Sequence, residues 1–203
     1  MKCSIVDLLP QKREQLKEII KGEGIIFRDV TLSSGLKSHF YYDIKKIVNS
    51  EGVVLIGELM LAKISELFGG GVKSVGGLES GALPITTAIV LVSKQLREGE
   101  NKLTGFFVRM EAKRHGLQKK IEGLPKKPLV VVEDVVTTGQ SVIDAVNALI
   151  EHEITPLGII SVIDRQDKMN KLTNGRLKFD SLFKHSEFED FIRMKSNTMS
   201  YGP

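Results

Sequence analysis

Helical and strand-like spacings of hydrophobic residues alternate along most of the chain. Residues 7–21 have the apolar spacing of a short amphipathic helix, which the glycines that follow interrupt. Residues 24–47 alternate apolar and polar positions around a hairpin-like turn at 33–35. Residues 53–68 return to helical spacing and end at three consecutive glycines. The first part of the chain therefore predicts a helix, a hairpin and a second helix.

A glycine-rich segment follows the second predicted helix. Residues 72–75 are typical of a short strand, and a glycine cluster at 76–81 comes directly after it. Pro84 stands where a proline at the first position of a helix is expected. The spacing then predicts a helix over 85–96.

The second half of the chain repeats this alternation. Residues 128–132 form a continuous apolar run, as in a parallel strand that is buried on both faces. This run leads through two acids into a helix predicted over 141–151. Further strands are predicted at 104–109, at 157–163 and, within a polar tail, at 176–179.

Strands that alternate with helices of this length predict an α/β fold with a doubly wound, mainly parallel sheet. We expect a single domain over 1–203, with an N-terminal helix and hood region at 1–47, an α/β core at 48–170 and a C-terminal tail at 171–203. Ligands of such sheets bind beyond the carboxyl ends of the strands. Glycine, acid and arginine residues concentrate at these predicted ends, namely residues 76–81, Arg109, Glu133 with Asp134, and Asp164 with Arg165.

The composition is that of an ordinary globular protein. Hydrophobic residues make up 41% and charged residues 27% of the chain, which excludes disorder, collagen-like structure and a coiled coil. The formal net charge is +4, and the clearest basic cluster is short, at Lys113, Arg114, Lys119 and Lys120. A short cluster among glycines favours a local anionic ligand, so no nucleic-acid partner is expected.

Cysteine and histidine usage excludes the common protein-only metal sites. Cys3 is the single cysteine, which excludes an internal disulfide and a Cys-based zinc site, and the four histidines lack HxxxH spacing. No apolar run approaches the roughly 18 residues that span a bilayer. The first residues also lack the apolar stretch of a signal peptide, so we expect a cytoplasmic protein without a membrane partner.

Residues 130–141, VVVEDVVTTGQS, carry the clearest chemical signal. An apolar strand delivers Glu133 and Asp134, and a turn rich in Thr and Gly then opens a helix. Backbone N–H groups and hydroxyls of such a turn bind anions at the positive end of a helix, while the acids suit the hydroxyls of a sugar. In the alternative interpretation, Thr and Ser only cap the helix and the acids form a solvated strand end. The segment is neither a Walker loop nor a GxGxxG motif.

This segment resembles the phosphoribosyl-diphosphate binding motif of type I phosphoribosyltransferases, and three further segments resemble orotate phosphoribosyltransferases. Residues 31–43, TLSSGLKSHFYYD, are similar to the N-terminal TLxSGxxSxxYxD stretch of that family. Residues 109–116, RMEAKRHG, are similar to its mobile catalytic loop, RKEAKxHG. Residues 163–165, IDR, match the strand end that the family uses on orotate. The four motifs are collinear over roughly residues 20–170.

The resemblance implies transfer of a 5-phosphoribosyl group from phosphoribosyl diphosphate to orotate, which gives orotidine 5'-monophosphate and pyrophosphate in pyrimidine biosynthesis. It implies Mg2+ held mainly by phosphoribosyl diphosphate. It also implies a homodimer in which the loop 110–123 reaches across the interface into the site of the neighbour.

Residue roles follow from the matched positions. Arg109, Lys113 and His115 would be the catalytic residues that act on the diphosphate, which the backbone of 77–81 would also contact. Glu133 and Asp134 would hold the ribose hydroxyls. The residues implied to bind the 5-phosphate are Val135, Val136, Thr137, Thr138, Gly139, Gln140 and Ser141. The residues implied to bind orotate are Thr137, Arg165, Tyr41 and Tyr42.

Each of these assignments has a structural alternative. Arg109, Lys113 and His115 suit an ordinary solvated loop, and the two tyrosines suit hairpin packing. Arg165 is also placed to pair with Asp164 or Asp167.

The chain departs from the family pattern at three positions. Met110 replaces the second basic residue of the catalytic loop. Ser33 and Ser80 stand where many bacterial members carry lysines.

Two other functions share the 130–141 segment. A purine-type phosphoribosyltransferase would have no use for an arginine aimed at a carboxylate on the base. A regulator that senses phosphoribosyl diphosphate and binds nucleic acid would not need the Lys113–His115 loop.

Overall fold

The structure is a computed structural model. It describes residues 8–31, 35, 37–48, 50–96, 102–110, 120–123, 125–166, 170–172 and 177–199.

The N-terminal region is a helix followed by a hairpin. Helix α1 (Leu9–Ile19) continues into a π-helical turn over Ile20–Gly24. Strands β1 (Ile25–Thr31) and β2 (Lys37–Tyr42) pair antiparallel and form what we call the hood hairpin. The short helix α2 (Ile44–Ile47) follows directly.

A six-stranded sheet forms the centre of the molecule in the order β5-β4-β3-β6-β7-β8. Its strands are β3 (Ser74–Leu78), β4 (Thr104–Val108), β5 (Ile121–Gly123), β6 (Leu129–Val136), β7 (Gly158–Asp164) and β8 (Lys178–Lys184). The short edge strand β5 pairs antiparallel with β4, and the other neighbours are parallel. The prediction of a mainly parallel sheet is confirmed.

Helices cover both faces of this sheet. They are α3 (Gly52–Phe68), α4 (Ala82–Leu96), α5 (Gln140–Ile150) and α6 (Glu189–Met199). Val130 and Val132 of β6 pack into one core cluster with α3 and α4, whereas Val131 packs into a second cluster with α5. Because residues of a strand alternate between faces, the continuous apolar run of β6 is buried on both sides, as predicted.

The strand order reverses between β3 and β6. The chain leaves β3 for β4 on one side, and then crosses back to place β6 on the other side of β3. The pairing of these strands ends at Gly76 and Val131, although β6 continues to Val136. The crevice that opens there is the usual ligand site of a doubly wound sheet.

Two glycines allow β3 to lie between its neighbours. A Cβ added at Gly76 would stand 2.1 Å from the carbonyl oxygen of Phe106, and one at Gly77 would stand 2.1 Å from that of Val132. The sequence predicted a strand over 72–75 with a glycine cluster after it. These bounds were wrong, because the strand covers Ser74–Leu78 and both glycines lie inside it. The neighbouring backbones leave no room for a side chain.

Several predicted boundaries also differ from the structure. Strand β6 runs through the two acids to Val136, so the acids do not end it. Pro84 is the third residue of α4 and not the first. The polar tail contains β8 and helix α6, of which the sequence predicted only a short strand at 176–179. Helix α6 escaped prediction because it offers few apolar positions; of its residues, Ile192 is buried.

No helix among the described residues is both long enough and apolar enough to span a membrane.

Candidate active site

Glu133 and Asp134 meet the segment after β3 at the strand reversal. A Cβ added at Gly81 would lie 2.6 Å from Oδ1 of Asp134 and 2.7 Å from Oε1 of Glu133. Both carboxylates therefore converge on the backbone of residue 81, where only glycine leaves them room. The acids belong to a crevice and are not a solvated strand end.

The two acids differ in burial and protonation. Glu133 is 5% exposed, and its Oε1 accepts a hydrogen bond from the backbone N–H of Asp134 at 3.0 Å. Burial raises the pKa of Glu133 well above its usual range, and the charge of Asp134 raises it further. The positive charge of Lys45 lowers the pKa of Glu133 and so offsets part of this increase. Asp134 is half-buried, and its Oδ1 accepts from the N–H of Val135 at 2.8 Å.

We predict that Glu133→Gln stabilises the free protein in alkaline solution. The folded state binds the Glu133 proton more tightly than the unfolded chain does, so the free energy of unfolding falls as pH rises from the unfolded pKa to the folded one. The amide removes this loss. Urea unfolding should find the variant more stable than wild type at about pH 8 and the two equal near pH 4, below the ordinary Glu pKa of about 4.3.

The exposed Glu14 provides a control for that measurement, since Glu14→Gln changes the same charge on the surface. We expect no comparable gain from it. Equal stability of Glu133→Gln and wild type at pH 8 would contradict the elevated pKa.

The turn after β6 has the geometry of an anion site. Gly139 has φ 77°, a left-handed conformation that glycine adopts without strain, and α5 begins at the next residue. The turn borders a cavity of about 40 Å³ lined by Glu133 and residues 135–142, which accommodates a small ion and not a nucleobase. Backbone N–H groups at the start of an 11-residue helix favour negative charge there.

Residues 170–172 pack against the turn at 137–139. The backbone N–H of Lys171 donates to the carbonyl of Thr138 at 3.1 Å. A Cβ at Gly139 would stand 2.7 Å from Cγ of Leu172. The turn is therefore fixed by a segment about thirty residues away in the sequence, which sequence reasoning missed.

Arg109 and Lys45 supply positive charge beside the segment that follows β3. Arg109 directly follows β4, and its Nε lies 4.0 Å from Oε1 of Glu79. This Nε is buried and has no hydrogen-bond partner within the described part of the chain. Nζ of Lys45, from α2, donates to Oγ of Ser80 at 3.0 Å. The peptide bond between Glu79 and Ser80 is cis.

Arg165 lies on the other side of the crevice, directly after β7. Its backbone N–H donates to the carbonyl of Val136 at 2.9 Å, which places it beside the start of the 137–139 turn. Its Nη2 donates to Oγ of Ser38 at 3.0 Å, and its guanidinium lies 4.7 Å from the ring centroid of Phe40. Two residues of the hood hairpin, Ser38 and Phe40, therefore hold the side chain of Arg165 in place.

The chain is similar to known proteins over most of its length. The chain is 37% identical over 187 residues to the orotate phosphoribosyltransferase of Aquifex aeolicus, covering 89% of this chain and 99% of that protein. The chain belongs to the orotate phosphoribosyltransferase family. A scan against protein-family models found no match.

Solved structures of this family have the same fold. The orotate phosphoribosyltransferase of Mycobacterium tuberculosis H37Rv in complex with Fe(III) dicitrate aligns with a TM-score of 0.71 at 30% identity, over 87% of this chain and 98% of that chain. The same bacterial enzyme in complex with 5-phospho-α-D-ribosyl 1-diphosphate aligns with a TM-score of 0.67 at 28% identity, over 88% and 99%. The predicted fold of a type I phosphoribosyltransferase is confirmed.

The structure brings together most of the residues that the family motifs singled out. Glu133, Asp134, the 135–141 turn and Arg165 line or border the crevice. Arg109 lies beside it, between Glu79 after β3 and Glu122 of β5, with its guanidinium 4.0 and 3.7 Å from their carboxylates. Lys113 and His115 lie outside the described residues. The base of their loop is held by the N–H of Arg109, which donates to the carbonyl of Lys120 at 2.8 Å.

The two tyrosines of the hood hairpin have different surroundings. Tyr42 is 8% exposed, and its hydroxyl contacts Nδ1 of His185 at 2.8 Å. It packs in the core, as in the structural alternative. Tyr41 is half-buried and lies opposite Ile26 in the hairpin.

Sequence reasoning missed Lys45 as a residue of this crevice. It stands two positions after the motif 31–43, next to Lys46, in a run that resembles any solvated helix face. Its proximity to the end of the motif was the one available signal.

Proposed function

We propose that the protein is an orotate phosphoribosyltransferase. It transfers the 5-phosphoribosyl group of phosphoribosyl diphosphate to N1 of orotate and releases pyrophosphate, in the synthesis of UMP. The observation that carries the proposal is the position of Arg165 beside the turn that follows Glu133 and Asp134. A planar guanidinium at that point suits a carboxylate-bearing base, which a purine is not.

The proposed ribose-phosphate site uses the end of β6 and the start of α5. Asp134 and Glu133 accept hydrogen bonds from the 2- and 3-hydroxyls of the ribose. The turn from Val135 to Ser141 surrounds the 5-phosphate, with backbone N–H groups and the hydroxyls of Thr137 and Thr138 as donors. The small cavity beside the turn supports this assignment.

The proposed diphosphate site uses the opposite side of the crevice. Arg109 and the backbone of 77–81 bind the leaving group, and Lys113 and His115 close over it from the loop. The buried Nε of Arg109 supports this role, because an anion would satisfy it. Lys45 adds a further positive charge beside Ser80.

The carboxylate pair fits Mg2+ carried by the substrate. Mg2+ sites commonly use one or two carboxylates together with substrate phosphates and water, and Glu133 and Asp134 converge at Gly81. The described residues contain no cluster of three or more potential metal-ligating side chains. When bound, the ion would neutralise charge on the departing diphosphate.

The chemistry requires no protein nucleophile. The bond from C1 of the ribose to the diphosphate oxygen breaks, the bond from C1 to N1 of orotate forms, and the N1 proton is released to solvent. The transition state resembles an oxocarbenium ion. The protein orients both substrates, stabilises the negative charge that develops on pyrophosphate and excludes water from the cation. Arg165, Thr137 and Tyr41 orient the base.

We propose a homodimer that uses the exposed face of α4. Leu83 and Leu91 are 42% and 59% exposed, and with Thr87 they recur at the four-residue spacing of one helix face. Leu83 is two residues from Gly81, so a partner on this face would stand next to the crevice. Residues 121–123 of the predicted loop 110–123 form strand β5 instead, so the part of the loop that precedes β5 would reach the neighbouring site. Both substrates are charged phosphates or carboxylates that do not cross bilayers, which supports a cytoplasmic location.

A spectrophotometric assay tests the proposed function. Orotate absorbance should fall when phosphoribosyl diphosphate and Mg2+ are added to the protein, and pyrophosphate should appear in equal amount. Consumption of hypoxanthine or guanine without orotate would favour a purine enzyme. Turnover of neither base together with binding of a specific nucleic acid would favour a regulator.

Arg165→Ala should raise the KM for orotate and leave the KM for phosphoribosyl diphosphate nearly unchanged. Because hydrogen bonds to charged groups contribute about 1.5–3 kcal/mol, we expect the KM for orotate to rise by about tenfold or more. The KM for phosphoribosyl diphosphate should change by less than about twofold, since Arg165 lies on the base side.

Arg193→Ala is the matched control, because Arg193 is exposed and pairs with Asp190 on α6. It should leave both KM values unchanged. An unchanged KM for orotate in Arg165→Ala would assign Arg165 to a structural role.

A further inference from the structure

An aromatic cluster joins the hood hairpin to the C-terminal part of the chain. It consists of Phe40 and Tyr42 from β2, His185 from the short 3-10 turn after β8, and Phe188. Its ring centroids lie 5.6–6.1 Å apart in the contacts that involve His185. Nothing in the proposed chemistry requires His185.

The cluster contacts Arg165 through Phe40. The guanidinium of Arg165 lies 4.7 Å from the centroid of the Phe40 ring, which is the geometry of a cation–π contact. Ser38, two residues earlier on the same strand, accepts a hydrogen bond from Nη2. The orientation of Arg165 therefore depends on where β2 places Phe40 and Ser38.

His185 in turn fixes the ring of Phe40. The two rings are stacked with an interplanar angle of 10° and a centroid distance of 5.6 Å. Nδ1 of His185 lies 2.8 Å from the hydroxyl oxygen of Tyr42. Tyr42 meets Phe40 edge to face at 5.7 Å, so the three rings fix one another.

The turn that carries His185 is itself well fixed. The backbone N–H of Ser186 donates to Oε1 of Gln166 at 2.9 Å, and Gln166 directly follows Arg165. Arg13 of α1 donates to both carboxylate oxygens of Glu187 at 2.8 and 2.9 Å. The turn is therefore connected to Arg165 in two ways. The ring of His185 stacks on Phe40, which contacts the guanidinium of Arg165, and the backbone of Ser186 bonds to Gln166, the residue after Arg165.

We propose that His185 is a positioning residue, which holds Phe40 and through it the guanidinium of Arg165 in the orientation that receives the carboxylate of the base. This inference rests on the proposed function. It assigns a specificity role to a C-terminal turn that lies outside the proposed substrate-binding residues.

The charges around His185 suit a neutral imidazole. Burial lowers the pKa of His185; Glu189 raises it, and Arg165 lowers it further. Burial also raises the pKa of Tyr42, so its hydroxyl stays protonated and can donate to Nδ1. Protonation of His185 in acid would place a second cation near Arg165, and the repulsion between the two charges would shift the guanidinium. The KM for orotate should therefore rise as pH falls.

Steady-state kinetics of His185→Ala and His185→Phe test the proposal. Loss of an aromatic contact corresponds to about a two- to tenfold effect. We expect His185→Ala to raise the KM for orotate by this factor and to leave the KM for phosphoribosyl diphosphate unchanged. His185→Phe keeps the stack and should restore the KM for orotate at pH 7.5. His152→Ala is the control, because the imidazole of His152 bonds to the carbonyl of Ala148 on α5, away from the aromatic cluster.

A pH series separates positioning from simple structural support. The KM for orotate in wild type should rise as the pH falls below the ordinary histidine pKa of about 6.5, and this rise should be absent in His185→Phe. If His185→Ala does not fold, the pH dependence of the KM for orotate in wild type and in His185→Phe still tests the positioning role. Equal changes in both KM values, or the same pH profile in wild type and His185→Phe, would overturn the positioning role alone. Absence of orotate turnover in wild type would instead overturn the proposed function.

Discussion

Lys113→Ala and Asp134→Asn are each expected to leave almost no orotate phosphoribosyltransferase activity, whereas their mixture should recover it. Loss of a cation that stabilises the departing diphosphate costs about 10²–10³ in rate. Loss of the Asp134 charge weakens the binding of phosphoribosyl diphosphate by about tenfold or more, so activity is measured at a concentration of this substrate below the wild-type KM. In the proposed homodimer, a mixed pair would have one crevice that combines an intact Asp134 with the intact Lys113 of the neighbour.

Random subunit exchange determines how much activity the mixture should recover. Random exchange makes half of the dimers mixed, and each mixed dimer has one complete site, so about one quarter of wild-type activity should return. Subunit exchange is verified by mass spectrometry of differently tagged chains. A matched mixture of Asp134→Asn with Glu133→Gln should not recover, because both changes lie in the same crevice. Activity no higher than that of the separate variants would show that the loop serves its own chain.

Gly77→Ala is expected to destabilise the fold strongly. The new methyl group would stand 2.1 Å from the carbonyl oxygen of Val132 and 2.7 Å from Cβ of Ala82. Both neighbours are fixed, one by the central strand β6 and the other at the start of α4. Overpacking against rigid neighbours costs up to about 3 kcal/mol and occasionally more, so the Tm should fall by roughly 6–12 °C.

Two other glycine variants serve as controls for the Tm of Gly77→Ala. Gly70→Ala meets nothing within 4 Å and should leave the Tm unchanged. Gly81→Ala would meet the ends of the Glu133 and Asp134 side chains, which can move. It should therefore weaken phosphoribosyl diphosphate binding more than stability. A Tm of Gly77→Ala equal to that of Gly70→Ala would contradict the close approach of β3 and β6.

Local patterns in the sequence predicted much of the fold. The apolar run at 128–132 indicated a strand that is buried on both faces, and β6 has this burial. Helical spacing over 53–68 agrees with α3 to within one residue. These features were predictable because the residues that determine them are neighbours in the chain.

Other elements could not be predicted from local patterns. Gly76 and Gly77 were placed in a glycine cluster after the strand predicted at 72–75, and glycine inside a strand usually weakens it. They belong to β3 because the carbonyls of Phe106 and Val132 crowd them from both sides. The edge strand β5 has only three residues, and its charged surroundings give no periodic signal. Helix α6 is almost entirely polar on its exposed side.

The sequence by itself determined the α/β alternation, the family and the segment 130–141, because each depends on residue types in a fixed local order. Only the tertiary structure decided which side chains meet in the crevice. Lys45 and Ser80 are 35 residues apart, Ser38 and Arg165 are 127 apart, and Tyr42 and His185 are 143 apart. Contacts over such separations depend on the strand order and on the docking of the hood hairpin, and these follow from burial of apolar surface across the whole chain.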